Sequence, residues 1–246
     1  MRLIKINATN STNSFLKELA QNSSLEEYTI AVANTQTSGR GQMSNSWVSE
    51  PYKNLTFSIF TPLTKLQIKH QAYLNFAVSL AIYDTLLTYN VPKLSIKWPN
   101  DIMSAEKKIC GILIETTFSH LQIKNTIIGI GLNVNQEKFP KKLFNASSLK
   151  NILKKEIDLE PLMNAIVEKI KYRISSIESG KFSQTHKEYH EALYKRGIPT
   201  AFIDKKTKLL FMGIISGVSS IGNLQIQLED DTIVKYGLKE ISFAKV

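Results

Sequence analysis

Cysteine is nearly absent: Cys110 stands alone among 246 residues. That excludes an intramolecular disulfide and suits a reducing compartment. Long apolar runs are absent too. The start, Met1-Arg2-Leu3-Ile4-Lys5-Ile6-Asn7, lacks the apolar core of a signal peptide, and the most apolar long stretch, 75–87, is broken by Ser79 and Asp84. The expectation is a cytoplasmic protein without membrane spans. No repeat, low-complexity tract or flexible linker is visible. Acidic residues are the minority charge, 21 against 31 basic ones, leaving a formal charge of +10. Such an excess fits a nucleic acid or an acidic protein partner. The lysines are spread rather than striped, however, and no helix-turn-helix or aromatic RNA-binding signature occurs. A DNA partner is therefore not expected, and an acidic protein partner stays open. His186 and His190 share a helix face, but His-Lys-Glu-Tyr-His is not a zincin order and no third ligand is evident. No metal site is expected there.

The length suits one sizeable domain with perhaps a small appendage. Ser11-Thr12-Asn13-Ser14 precedes Phe15, Leu16 and Leu19, predicting a hydroxyl-capped amphipathic helix that ends near Asn22. A strand at 29–33 leads into a polar, glycine-bearing segment from Thr35 to Trp47, either a mobile surface loop or one that covers a ligand. Residues 55–60 form the next strand. From 67 to 89 the period is helical, with Phe76, Leu80, Tyr83 and Leu87 on one buried face.

The stretch from Lys97 to Glu115 organises the chain. It reads as a strand end, a polar turn at Asn100-Asp101 and a second strand at 109–114, with Pro99 stopping the first ladder. An aromatic, an amide, a carboxylate and a lysine are thus mounted on one strand-turn-strand, either as a site or as a solvated hairpin. Residues 127–134, Ile-Ile-Gly-Ile-Gly-Leu-Asn-Val, make a buried strand whose glycines mark close approach of a ligand or another backbone. It is not a dinucleotide fingerprint, because no third glycine follows and no helix opens. A lysine-rich connector (137–155) precedes a helix at 159–177, with Leu162, Ile166, Ile170 and Ile174 on its buried face, and another helix at 182–194. Beyond Gly197, five short strands near 200–203, 209–215, 224–228, 232–234 and 240–243 predict a small β-barrel or roll. The boundary falls near Tyr194, giving units of 1–194 and 195–246.

Five motifs stand in one order: Ser11-Thr12-Asn13; Gln36 with Gly39-Arg40-Gly41 and Trp47; Lys97-Trp98-Pro99-Asn100-Asp101; Lys108-x-x-Gly111-Ile112-Leu113-Ile114-Glu115; and Gly129-Ile130-Gly131-Leu132-Asn133-Val134-Asn135. The series, over roughly 9–135, resembles the biotin–protein ligase family. With no DNA-binding domain before Ser11, the resemblance is to its monofunctional members. It implies an α+β fold: a mixed-sheet catalytic domain flanked by helices, plus a small C-terminal SH3-like β-barrel. It also implies a two-step reaction in which biotin and ATP give biotinyl-5′-AMP, and biotin then passes to a lysine of a biotin carboxyl carrier domain of a biotin-dependent carboxylase. The ligase would act as a monomer or homodimer.

By the same resemblance, Lys108, Arg40 and Asp101 are the catalytic group, with Lys108 the main cation and Asp101 near the acceptor amine. Ser11, Thr12, Gln36, Gly39, Arg40, Lys108, Gly111 and Gly129 would hold biotin. Arg40, Gln42, Asn45, Trp47, Asn100 and Asn133 would hold the nucleotide, with Trp47 on adenine and Mg²⁺ carried by the phosphates. The loop departs from the family's Gly-Arg-Gly-Arg-Arg-Gly-Arg, since only Arg40 survives in Gly39-Arg40-Gly41-Gln42-Met43-Ser44-Asn45. Weaker retention of the adenylate is expected, because neutral hydrogen bonds replace charge-assisted ones. Two alternatives fit less well. A lipoate or octanoyl transferase shares the Lys-x-x-Gly element but not the Lys-Trp-Pro-Asn-Asp motif. A non-catalytic biotin-binding module would need neither Lys108 nor Asp101. Cys110 reads as core filler.

Overall fold

The computed structural model describes residues 2–42 and 45–244. β1 (Leu3–Thr9), β2 (Thr29–Gln36), β3 (Leu55–Pro62), β4 (Leu94–Lys97), β5 (Asp101–Ser104), β6 (Lys107–Ser119) and β7 (Gln122–Leu132) form one sheet in the order β1-β2-β3-β7-β6-β5-β4. β1 and β2 run parallel, joined by α1 (Thr12–Asn22), and the other neighbours are antiparallel. The fold is thus α+β with a large mixed sheet.

Alternation along the strands divides the sheet into two faces. Ile128, Ile130 and Leu132 of β7 join Phe57, Ile59 and Ile112 in the main core. α2 (Gln71–Thr88), α4 (Leu159–Glu178) and α5 (Phe182–Glu191) pack on that side, and the short α3 (Leu149–Leu153) precedes α4. Leu162, Ile166, Ile170 and Ile174 of α4 are buried as the period predicts. Each such side chain stabilises the fold by about 1.5–3 kcal/mol. α2 is buried more widely than its predicted stripe, because it lies between the sheet and α4. Leu74, Ala77, Val78 and Ala81 are enclosed as well, whereas Leu87, expected inside, is exposed at the last turn. The opposite face of the sheet carries α1, whose Leu16 packs with Ala31, Phe60 and Ile127.

Two local expectations are corrected and one strand is added. Residues 3–9 form β1, which the sequence pattern does not predict, because only pairing with β2 makes this short edge segment a strand. The 97–115 stretch contains an extra strand, β5: Ile102 and Met103 are buried, and the reversal lies at Ala105-Glu106, where Ala105 takes φ 50°. Asp101 therefore opens a strand rather than sitting in a turn. Ser11 is the N-cap of α1, but its hydroxyl makes no capping bond. Its backbone oxygen closes the first turn instead, accepting from Phe15 N at 2.9 Å.

β8 (Pro199–Asp204), β9 (Leu210–Val218), β10 (Leu224–Gln227), β11 (Ile233–Tyr236) and β12 (Ile241–Phe243) form an antiparallel sheet in the order β11-β10-β9-β8-β12. Among the described residues nothing pairs β11 with β12. The expected barrel is an open sheet here, since the three residues of β12 pair with β8 alone. This sheet is fastened to the first. Trp98 Nε1 donates to Gly222 O at 2.9 Å, and Ile96 exchanges backbone bonds with Ala192 and Tyr194 at 2.7 and 2.9 Å. His186 and His190 of α5 both meet Val218 of β9. Among the described residues, no helix is long and apolar enough to cross a membrane.

Candidate active site

Small residues pave part of the face that carries α1. One cross-strand row runs Ala33, Thr56, Gly131, Gly111, Asp101 and Lys97. The next runs Ala31, Ser58, Gly129 and Leu113. A Cβ added to Gly131 would lie 2.3 Å from Trp47 Cε2, and one added to Gly129 would lie 2.2 Å from Asn13 Oδ1. Both glycines are therefore required by close approach. The space beside Gly129, expected to admit a ring, is filled by Asn13, and that beside Gly111 by Trp47 and Lys108. A cleft remains above this floor, lined by Ser11, Thr12, Gln36, Arg40, Gln42, Asn45, Trp47, Asn100, Asp101, Lys108, Gly111 and Gly129 among others.

Strict alternation from Gly111 would put Lys108 on the core face with Cys110. A bulge prevents this. Ile102 pairs with Cys110 but Met103 pairs with Lys108, so Ile109 is the extra residue, and Ile109 and Cys110 are both fully buried. The slip turns Lys108 to the cleft. Its Nζ lies 2.7 Å from Asp101 Oδ1, an ion-pair contact off the hydrogen-bond direction, which leaves that oxygen buried without a directed bond. The Trp47 ring centre is 5.6 Å from the same Nζ. The backbone of Lys108 is held by Asn145 O at 2.8 Å and Ser147 N at 3.0 Å. Of the other two lysines, Lys107 donates to Phe144 O at 2.9 Å, and Lys97 lies over Phe243 at 4.5 Å. Burial lowers the Lys97 pKa, Asp101 opposes the shift and Lys108 adds to it. Burial pushes the Cys110 thiol up, as befits a core side chain.

The segment expected as a loop is a strap that folds back on itself. Trp47 N donates to Gly39 O at 2.8 Å, Gly41 N to Asn45 O at 2.7 Å, and Arg40 bridges Ser46. A Cβ on Gly39 would meet Trp47 O at 2.4 Å, so the two arms close only over glycine. Met43 and Ser44 of this loop lie outside the described residues.

A polar relay runs under the cleft. Thr12 N donates to Gln36 Oε1 at 2.8 Å, and the Thr12 and Ser58 hydroxyls meet at 2.6 Å. Ser58 donates to Asn13 Oδ1 at 2.6 Å, so the shared proton in the hydroxyl pair comes from Thr12. Asn13 Nδ2 donates to Glu115 Oε2 at 2.8 Å, and Arg40 Nη2 to Glu115 Oε1 at 2.9 Å. Sequence reasoning gave no part to Asn13, Ser58 or Glu115. Asn13 and Glu115 stood inside quoted motifs, while Ser58 gave no signal beyond being polar in an apolar strand.

Of the expected site residues, two stand apart from the lining. Gly39 supports the strap, and Asn133 donates to Ser147 O at 3.0 Å beside Lys108, its Oδ1 buried without a partner. Asn100 lines the cleft, but its amide donates to Ile112 O at 2.6 Å. Among the described residues no group of three His, Cys, Asp or Glu side chains could hold a metal ion, so the donor set offers no cage for one.

Fold and site together define a class: a small-ligand enzyme site on a mixed sheet, with amides and hydroxyls at one end and two cations for negative charge. Residues 6–133 match the Biotin/lipoate A/B protein ligase family, and the chain belongs to that family. It is 30% identical over 248 aligned positions to the bifunctional ligase/repressor BirA of Bacillus spizizenii, covering 99% of this chain and 73% of that protein. Over 128 positions it is 32% identical to a biotin–[acetyl-CoA-carboxylase] ligase of Paracoccus denitrificans, covering 51% and 52%. Its structure resembles the biotin protein ligase from Aquifex aeolicus in complex with biotin and ATP. That match has a TM-score of 0.83 and 25% identity, and covers 100% of this chain and 99% of that one.

Proposed function

We propose that the chain is an AMP-forming biotin–protein ligase. In the first step a biotin carboxylate oxygen attacks the α-phosphorus of ATP. A C(O)–O–P bond forms, the bond to the β-phosphate oxygen breaks, and pyrophosphate leaves. In the second step a lysine ε-nitrogen of a carboxylase's carrier domain attacks the activated carbonyl. An amide forms, AMP leaves, and the nitrogen gives up a proton. The observation that carries this reading is the cation–carboxylate pair Lys108–Asp101 at 2.7 Å, set over the Gly111/Gly131 floor.

Joining two anions requires screening, and Lys108 is placed to stabilise charge growing on the phosphate. When it turns to the phosphate it releases Asp101, which is then free to orient the incoming amine or accept its proton. Thr12, Ser11 and Gln36 take the ureido end, and Trp47 the adenine. Gln42, Asn45 and Arg40 take the phosphate, and Asn100 holds the cleft wall. Gly39 acts through the strap, and Asn133 acts by positioning the 145–147 segment beside Lys108. Mg²⁺ would travel with the nucleotide, since the described residues offer no protein cage for it.

In this reading residues 1–194 are the catalytic unit and 195–246 an SH3-like appendage. Use of ATP and the single buried cysteine fit a cytoplasmic setting. The test is ATP-dependent pyrophosphate release with biotin and with lipoate, followed by transfer to a carrier domain. Release with biotin alone is expected. Equal release with lipoate, or none with either, overturns the reading.

A further inference from the structure

Glu115 closes the Lys108–Glu115 motif and has no part in the chemistry above, yet it holds the strap's only described cation. One of its oxygens is fixed by Asn13, a buried side chain itself held by Ser58 and by Leu113 O at 3.2 Å. The other takes Arg40 Nη2 at 2.9 Å, while Arg40 Nη1 donates to Ser14 Oγ at 3.2 Å. The carboxylate is thus pre-oriented from below, and the guanidinium docks on it from the strap.

Each cation of the cleft rests on its own carboxylate, Arg40 on Glu115 and Lys108 on Asp101. Glu115 lies four residues beyond Gly111 on β6, about 13 Å along an extended strand. Lys108 Nζ lies against Gly111, 3.3 Å from the position of an added Cβ. Both cations line the one cleft, and a guanidinium held by Glu115 and Ser14 has donors engaged before a phosphate arrives. We infer that Glu115 is a positioning residue that holds Arg40 in the ligand-free protein, and that the nucleotide must win Arg40 from it. This rests on the proposed ligase activity. The pair is weak because of its setting: side-chain exposures of 44% and 24% leave it open to water and salt. A phosphate carrying more charge than a carboxylate can take the guanidinium from it.

Glu115→Gln keeps an oxygen that can accept from Asn13 and removes the charge that holds Arg40. The assays are the KM for ATP in adenylate formation and the dissociation of labelled biotinyl-adenylate chased with unlabelled ligand. Both are measured in the wild type, in Glu115→Gln, and in each form carrying Arg40→Ala. The expected result is a KM for ATP lower by about two- to fivefold, the range an exposed pair supports, with slower dissociation by a similar factor. The gain should shrink at high salt and vanish in the Arg40→Ala background, since a cycle isolates the pair. A merely structural role would shift both backgrounds alike. An independent readout is trypsin cleavage after Arg40, located by mass spectrometry, which should quicken in ligand-free Glu115→Gln. Faster leakage, an unchanged KM, or the same shift without Arg40 overturns the inference. If Glu115→Gln folds poorly, an unchanged cleavage rate after Arg40 in its folded fraction still overturns it. Wild-type protein that makes no biotinyl-adenylate from biotin and ATP sinks the ligase reading instead, so the two failures are distinguishable.

Discussion

The cleft has two halves built by different means. The strand half carries Asp101, Lys108 and the glycine floor. Its backbone is locked into ladders and its cation is 30% exposed beside a paired carboxylate. The strap half carries Arg40, Gln42, Asn45 and Trp47, closed by a few backbone bonds, and its cation is 44% exposed. Both cations rest on carboxylates of the same sheet. The difference is that Lys108 rests on a carboxylate held in the β5–β6 ladder, whereas Arg40 is carried on the strap. A scaffold holds one cation ready, and the other must be recruited.

Mutations can break or sharpen this contrast. Lys108→Ala should have the largest effect, lowering biotin transfer to a carrier domain by about 10²–10³-fold. Transfer at the wild-type rate would show that the strand half does not hold the main cation. Gly129→Ala should destabilise the protein by about 1–3 kcal/mol in urea unfolding. Its new Cβ would meet Asn13, which is buried and bonded on both sides and so cannot yield cheaply.

Arg40→Ala should speed release of biotinyl-adenylate on the order of tenfold, the loss of one charge-assisted bond. Wild-type protein should itself leak faster than an arginine-rich relative at matched ionic strength, and leakage no faster would refute that expectation. Gly131→Ala should cost less stability than Gly129→Ala, by about 1 kcal/mol, because its neighbour Trp47 is carried on the strap rather than in the buried relay. Nucleotide affinity should drop instead, measured by calorimetric titration. Equal stability losses at the two glycines would erase the contrast.

The smallest effect lies outside both halves, at the joint between α5 and β9. His190 Nε2 lies 2.9 Å from Val218 N and 2.8 Å from Val218 O, while His186 Nε2 donates to Val218 O at 2.6 Å. Burial holds the His190 pKa below its ordinary 6.5; the bond to the Val218 backbone opposes the shift, and the neighbouring His186 and Arg196 add to it. A folded-state pKa below the unfolded one gives stability that is full above the unfolded pKa and lost as pH falls through the folded one. Thermal melts should therefore weaken from pH 7 toward pH 5, and less so in His190→Gln. An identical pH slope in the variant would remove His190 from the account.

Motifs with local physical meaning are legible in the sequence. Alternation and turn residues mark most strands, the helical period marks α4, and the ordered motifs mark Lys108, Asp101, Arg40, Gln36 and Thr12 as cleft residues. What escapes a sequence reading depends on residues far apart in the chain. β1 is a strand only because β2 lies beside it. Ser58 matters only because β3 brings it between Thr12 and Asn13, 45 and more positions away.

The sequence by itself determined the α+β class, the small C-terminal strands, the lone unbonded cysteine and the set of polar residues that meet in the cleft. The strands follow from period and turn chemistry, which are properties of neighbours along the chain. The α+β class and the set of site residues follow from the resemblance of the ordered motifs to the biotin–protein ligase family. Tertiary structure alone decided which way they face. A bulge at Ile109 turns Lys108 from core to cleft, and two rows of small residues become a floor only when the strands align them in register. A slip of one residue reverses a strand's faces. The orientation of Lys108 is therefore set by ladder registry, which no local pattern encodes.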